Sequence, residues 1–293
     1  MGRSLAVLLV ALLGLLAAGC GGSSNDSSAS GTTTAAVSCD KVDLNLVNDG
    51  QLTIGTDNPA YPPWFGGDEK SPWKVSDPRS GEGFESAVAY AVAKKLGFDK
   101  SEVTWIRVPF NTSFAPGPKK FDFDINQISF KPVRAKAVDF SDSYYDVNQA
   151  IAVLNSTPIA KAKSIADLKP YKLGAQLGTT SYDFIKDTIQ PSKQPSVFDT
   201  NDAAVQALKN KQIDGLVLDL PTAFFVTAAE IDNSKVLGQF ESPEGEHFAM
   251  VFAKGNTLVR CVNEALASLK SDGTLQKIQD KWLSQVVGAP VFK

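Results

Sequence analysis

Leu52-Thr53-Ile54-Gly55-Thr56, a helical pattern over residues 84–96, and a second strand-like run over residues 103–108 together decide the fold. The first run is rich in β-formers and ends in a turn cluster, which reads as a strand. A long loop rich in proline, glycine and aromatic residues carries the chain through Gly81. Phe84, Val88, Ala91, Val92 and Leu96 then recur at helical spacing, and Gly97 stands where a helix C-terminus favours glycine. Residues 103–108 form the next strand. Strand, helix and strand in that order imply parallel pairing, because a crossover must return the chain to the same end of the sheet.

The alternation continues outward from there. Residues 122–128 read as a buried strand, and Pro132 opens a short helix at a position that suits proline. Further strands are expected at 150–154, 173–176 and 215–218. Helices are expected at 181–188, at 202–211 with Asp202 as N-cap, at 258–270 and at 274–282. The chain reads as α/β, without an internal repeat.

Composition narrows the function. Of 293 residues, 43% are apolar and 21% charged, which is globular composition with length for one large or two ordinary domains. The formal charge is −3 and no Lys/Arg stripe occurs, so nucleic-acid binding has no electrostatic footprint.

At the N-terminus, Arg3 precedes an apolar run over residues 5–18 that ends in Ala17-Ala18-Gly19-Cys20. The run is shorter than the roughly 20 residues that span a bilayer, and it ends in small residues, so it reads as a signal peptide. It resembles a bacterial lipoprotein signal, with Ala17 where leucine is usual. That resemblance implies cleavage after residue 19 and a lipid anchor on Cys20. Residues 21–37 are almost all Gly, Ser, Thr and Ala, the composition of a flexible tether with a reach on the order of 20–25 Å. Two further cysteines remain, Cys39 and Cys261. In an oxidising compartment an even pair favours a disulfide; two separate buried thiols are the alternative.

Several motifs then fall in order: Ile54-Gly55-Thr56-Asp57 with Tyr61-Pro62-Pro63-Trp64, Gly83-Phe84-Glu85, and Phe121-Asp122-Phe123-Asp124 through Arg134 to Ser141-Asp142 and Tyr144-Tyr145. Leu173-Gly174-Ala175-Gln176-Leu177-Gly178-Thr179-Thr180, Ile213-Asp214-Gly215 to Asp219, and Lys270-Ser271-Asp272-Gly273-Thr274 to Trp282 complete the series. Over residues 52–283 the chain resembles the type II periplasmic-type solute-binding proteins for polar amino acids, the bacterial extracellular solute-binding family 3. The resemblance implies two α/β lobes, each with a mixed, mostly parallel sheet flanked by helices, joined by two crossover strands. Lobe one would comprise residues 39–147 plus 249–293, and lobe two residues 148–248. A small amino acid would bind between them, without cofactor, and pass to an ABC permease. The protein would be exported, anchored at the outer face of the cell membrane or periplasmic, and monomeric.

A buried zwitterion needs a fixed opposite charge at each end. Arg134 matches the family's carboxylate-binding arginine, whose planar fork can make two parallel bonds. Thr179 and Thr180 open a helix behind Gly178, where N–H groups favour an anion, although capping alone would explain one threonine. Ser129 matches a substrate-contacting position. Asp219 ends an apolar strand, where ligands gather in open parallel sheets, and matches the ammonium-binding carboxylate. Tyr61, Trp64 and, on even terms with core packing, Phe65 would close over the ligand side chain. Asp57 and Glu85 hint at a cationic side chain; Asn126 and Gln127 hint at a polar neutral one. His247 reads as structural, and no metal-ligand spacing occurs. The competing readings are a sensor with the same pocket and, further off, a dehydratase of the same fold.

Overall fold

The computed structural model describes residues 38–241, 245–284 and 288–293. The expected signal peptide (1–19), the lipidation site Cys20 and all but the last residue of the tether (20–38) lie outside them. Among the described residues no helix is long and apolar enough to cross a membrane.

The first sheet grows from β1 (Leu52–Thr56), α1 (Phe84–Lys95) and β2 (Val103–Arg107). After a short α2 (Phe110–Ser113) come β3 (Phe123–Asp124) and β4 (Val138–Val147). β5 (Gln149–Leu154) follows β4 with a single residue, Asn148, between them and opens the second sheet. There the chain alternates α3 (Ile165–Leu168), β6 (Leu173–Gln176), α4 (Thr180–Phe184), β7 (Ser196–Phe198), α5 (Asn201–Lys209), β8 (Gly215–Asp219), α6 (Leu220–Phe225) and β9 (Ser234–Phe240). β10 (Glu246–Ala253) returns to the first sheet, followed by α7 (Leu258–Ser271) and α8 (Thr274–Leu283).

Both sheets have five strands, in the orders β2-β1-β3-β10-β4 and β7-β6-β8-β5-β9. β1 pairs parallel with β2 and β3, and β6 pairs parallel with β7 and β8. β10 and β5 are the antiparallel strands that make each sheet mixed. This is the two-lobed α/β architecture expected from the motifs. The two crossovers lie side by side, for Glu246 pairs with Val147 and Gln149 with Phe240.

Periodicity explains the packing. Leu258, Cys261, Val262, Ala265, Leu266 and Leu269 of α7 recur at helical spacing and bury one face in the lobe-one core with Phe84, Phe123 and Phe252. In β5 the pattern is two: Ala150, Ala152 and Leu154 enter one cluster, while Ile151 and Val153 enter another on the opposite face. A strand covered on both faces is apolar along its buried length, as β5 is from Ala150 to Leu154. Cys39 and Cys261 form a disulfide that ties the start of the described chain to α7, within lobe one.

Some expectations were too simple. The strand expected over 122–128 is only two residues long, because Gln127 turns into the left-handed region (φ 48°) and bends the chain toward the cleft. Pro132 leads into a 3-10 turn, Arg134–Lys136, rather than an α-helix. The N-cap of α5 is Thr200, whose Oγ1 accepts from Ala203 N, and Asp202 instead faces Tyr61. Residues 289–293, expected in lobe one, lie on lobe two. Gln239 N donates to Pro290 O (2.8 Å) and Phe292 N to Gln239 O (2.9 Å), extending the open edge of β9. Phe292 packs over Gly238, where any Cβ would meet its ring at 2.4 Å.

Candidate functional site

The C-terminal ends of β1, β3, β6 and β8 converge on the gap between the two sheets, where open α/β sheets gather ligands. A cavity of about 60 Å³ lies there. Asp57, Tyr61, Gln127, Ser129 and Arg134 line it from lobe one; Thr179, Thr180 and Asp219 line it from lobe two. Phe65, Asn126, Gln149 and Gln176 complete much of its wall.

Arg134 is 7% exposed. Its Nη1 donates to Ser129 O (2.6 Å) and its Nη2 to Gly178 O (2.7 Å), so one guanidinium touches both lobes. The guanidinium carbon sits 4.2 Å from the Phe114 ring centroid and 5.8 Å from that of Phe110. Burial lowers its pKa to about 10, which leaves it charged at neutral pH. Among the described residues its hydrogen-bond partners are backbone carbonyls, and no carboxylate neutralises it directly. Gly178 allows this approach: it has φ 77°, and a Cβ there would meet Asn111 Oδ1 of lobe one at 2.1 Å.

Asp219 closes β8 and caps α6, accepting from Thr222 N (3.0 Å) and Thr222 Oγ1 (2.7 Å). It keeps some exposure, but toward the cavity rather than bulk water, so burial raises its pKa to about 6, opposed by the Thr222 bonds. Thr179 and Thr180 have different duties. Thr179 Oγ1 donates to Gln176 O (2.7 Å) and accepts from Tyr182 N (3.2 Å), which is a helix cap. Thr180 Oγ1 is turned to the cleft, 3.3 Å from Ser129 Oγ.

Trp64 does not line the cavity. It is fully buried against Phe84, Tyr145 and Phe248, because the loop after β1 folds back into the lobe-one core. It reaches the site indirectly. Trp64 Nε1 donates to Thr222 Oγ1 (2.8 Å), and that hydroxyl donates to Asp219, so a core tryptophan of one lobe orients the carboxylate of the other. Tyr61 OH donates to Asp202 across the cleft, and Lys131 pairs with Asp183. The lobes are therefore closed on each other.

Beneath the cavity the side is acidic. Burial holds the Asp57 carboxyl above its ordinary range. Glu85 is wholly buried and accepts from Tyr144 OH and from Gln127 N (2.6 Å) and Nε2; burial outweighs these bonds and lifts its pKa to about 7. Asp124 is buried with both oxygens unpartnered among the described residues, and its pKa is raised well above the usual carboxylate value by burial. His247 stacks on Phe130 at an interplanar angle of 8°.

Sequence reasoning passed over Glu246. Its carboxylate accepts from Ser129 Oγ, from Thr180 Oγ1 (2.6 Å) and from Gln149 Nε2 (3.0 and 3.1 Å). Only the crossover geometry, which sets residue 246 opposite Val147, brings it there.

Residues 52–285 match the model of the bacterial extracellular solute-binding proteins, family 3. The chain belongs to that family. It is 30% identical over 255 residues to the L-cystine-binding protein TcyJ of Escherichia coli K12, covering 85% of this chain and 88% of that one. It is also 30% identical over 210 residues to the ABC transporter arginine-binding protein 1 of the same strain, covering 69% and 82%. A solved structure, an ancestral arginine-binding protein bound to glutamine, is 33% identical with a TM-score of 0.66, covering 80% of this chain and 97% of that one. All three of these relatives are, by name, amino-acid-binding proteins.

Proposed function

We propose that the protein captures a polar amino acid by closure of its two lobes and delivers it to an ABC importer in the membrane. The observation that carries this reading is the pair of opposite charges on one cavity. Arg134, buried and without a carboxylate partner among the described residues, stands on one wall, and Asp219 stands on the other. A zwitterion placed between them gains a counter-charge at each end, which removes the main cost of burying it. Asp57, with Glu85 behind Gln127, favours a polar or cationic side chain over an apolar one. Export and anchoring through Cys20 belong to the same proposal and rest on the N-terminal sequence.

Closure follows from differential binding, since a guest touching both lobes stabilises the closed form more than the open one. Micromolar affinity, about −8 kcal/mol, is expected. Thermal shift of residues 38–293 against the twenty amino acids and L-cystine tests the reading. A ligand at a hundred times its Kd adds about 2.7 kcal/mol to apparent stability. Unchanged melting with every member of the panel would falsify amino-acid capture.

A further inference from the structure

Glu246 holds the donors that a ligand carboxylate needs. Ser129 Oγ and Thr180 Oγ1 each own one proton, and in this structure both are donated to Glu246 Oε1. Gln149 Nε2 supplies further donation to both Glu246 oxygens. A hydroxyl spent on one carboxylate is not free for a second, and two carboxylates at the same donors repel. The same Ser129 accepts the Arg134 guanidinium at its backbone oxygen, so this cluster adjoins the cavity's positive charge.

We propose that Glu246 is an internal occupant of the carboxylate subsite, which an incoming amino acid must displace in order to bind. The proposal rests on the amino-acid reading given above. Glu246 is placed for such a movement. It is the first residue of β10, at the end of the ladder, and follows Gly245, which has φ 72° and where an added Cβ would meet no described atom within 4 Å. It also faces a second cavity of about 230 Å³, lined by Gln149, Thr188 and the Lys131–Asp183 pair, which leaves room for the displaced side chain. The side chain thus competes with the ligand for the same protons. It sets the affinity of the site from the hinge.

The test pairs each amino acid with its decarboxylated amine: L-arginine with agmatine, L-histidine with histamine, and L-cystine with cystamine. Calorimetry compares the wild type with Glu246→Gln, which loses the charge, and Glu246→Asp, which loses the reach. For whichever amino acid the wild type binds, both variants should bind roughly tenfold more tightly, about one charge-assisted hydrogen bond's worth. The partner amine, having no carboxylate to seat, should change by less than about twofold. If both variants weaken amino acid and amine alike, Glu246 is a structural tie between the lobes and the proposal is wrong. If neither wild type nor variants bind any of the three amino acids or amines, the amino-acid reading fails and takes this one with it.

Discussion

Replacing Arg134 by lysine separates charge from geometry. The guanidinium uses one nitrogen for Ser129 O at 2.6 Å and another for Gly178 O at 2.7 Å while its face rests on Phe114. A lysine ammonium is a point charge without a plane: it can keep one of these bonds, loses the stack, and offers a ligand carboxylate no fork. Each hydrogen bond to a charged group is worth about 1.5–3 kcal/mol. Arg134→Lys should therefore weaken amino-acid binding by about 2 kcal/mol, roughly thirtyfold, and Arg134→Ala by about 4 kcal/mol, roughly a thousandfold. The assay is calorimetric titration at pH 7 with the amino acid that gives the largest thermal shift, with melting curves to show that the variants fold. Lysine should fall between arginine and alanine. An alanine variant that binds within about threefold of wild type would leave the guanidinium no part in holding the ligand.

Three further outcomes are expected. Asp219 titrates near 6 because it is buried, and a ligand ammonium prefers its charged form; affinity should therefore hold above that pH and fall about tenfold per unit below it, and a flat profile from pH 4.5 to 8 would remove Asp219 from the contact. Glu85 binds its proton more tightly folded than free, so its contribution is complete below about 4.5 and lost as pH rises through about 7, an order of 3 kcal/mol. Asp219 and Asp124 lose stability over the same range in any variant, so denaturant unfolding at pH 5 and pH 8 should show a loss smaller by that amount in Glu85→Gln than in wild type, and identical losses in the two would refute it. Breaking the Cys39–Cys261 bridge releases a span of 222 residues, and chain entropy sets the cost at roughly 5 kcal/mol or less; a reductant that leaves the melting temperature unchanged would contradict this.

Local signals carried much of the architecture. β1, α1 and β2 were legible because a five-residue β-rich run and a helical apolar stripe are short-range patterns, and α7 ended within a residue of its expected limit. The cavity's charged walls were legible too, since Arg134 and Asp219 sit at motif positions and at a strand's end. Long-range placement was not. Nothing near Trp64 distinguishes a rim aromatic from a core one; Phe84, Tyr145 and Phe248, distant in sequence, decide it. Glu246 carries no periodic or motif signal, and its role exists only once β4 and β10 lie side by side. Asp202 satisfied the composition rule for a cap, but Thr200 held the extended backbone (φ −136°, ψ 157°) that capping requires.

The docking of residues 289–293 on β9 has a practical consequence. Ser38 sits beside the bridge to α7 in one half of the molecule, and Lys293 ends against Ile165 in the other. Fluorophores attached at these two positions ride on separate bodies, so energy transfer between them would register cleft motion without any insertion into a sheet. A bulky fusion that pulled Phe292 away from Gly238 would uncouple the acceptor and silence the signal.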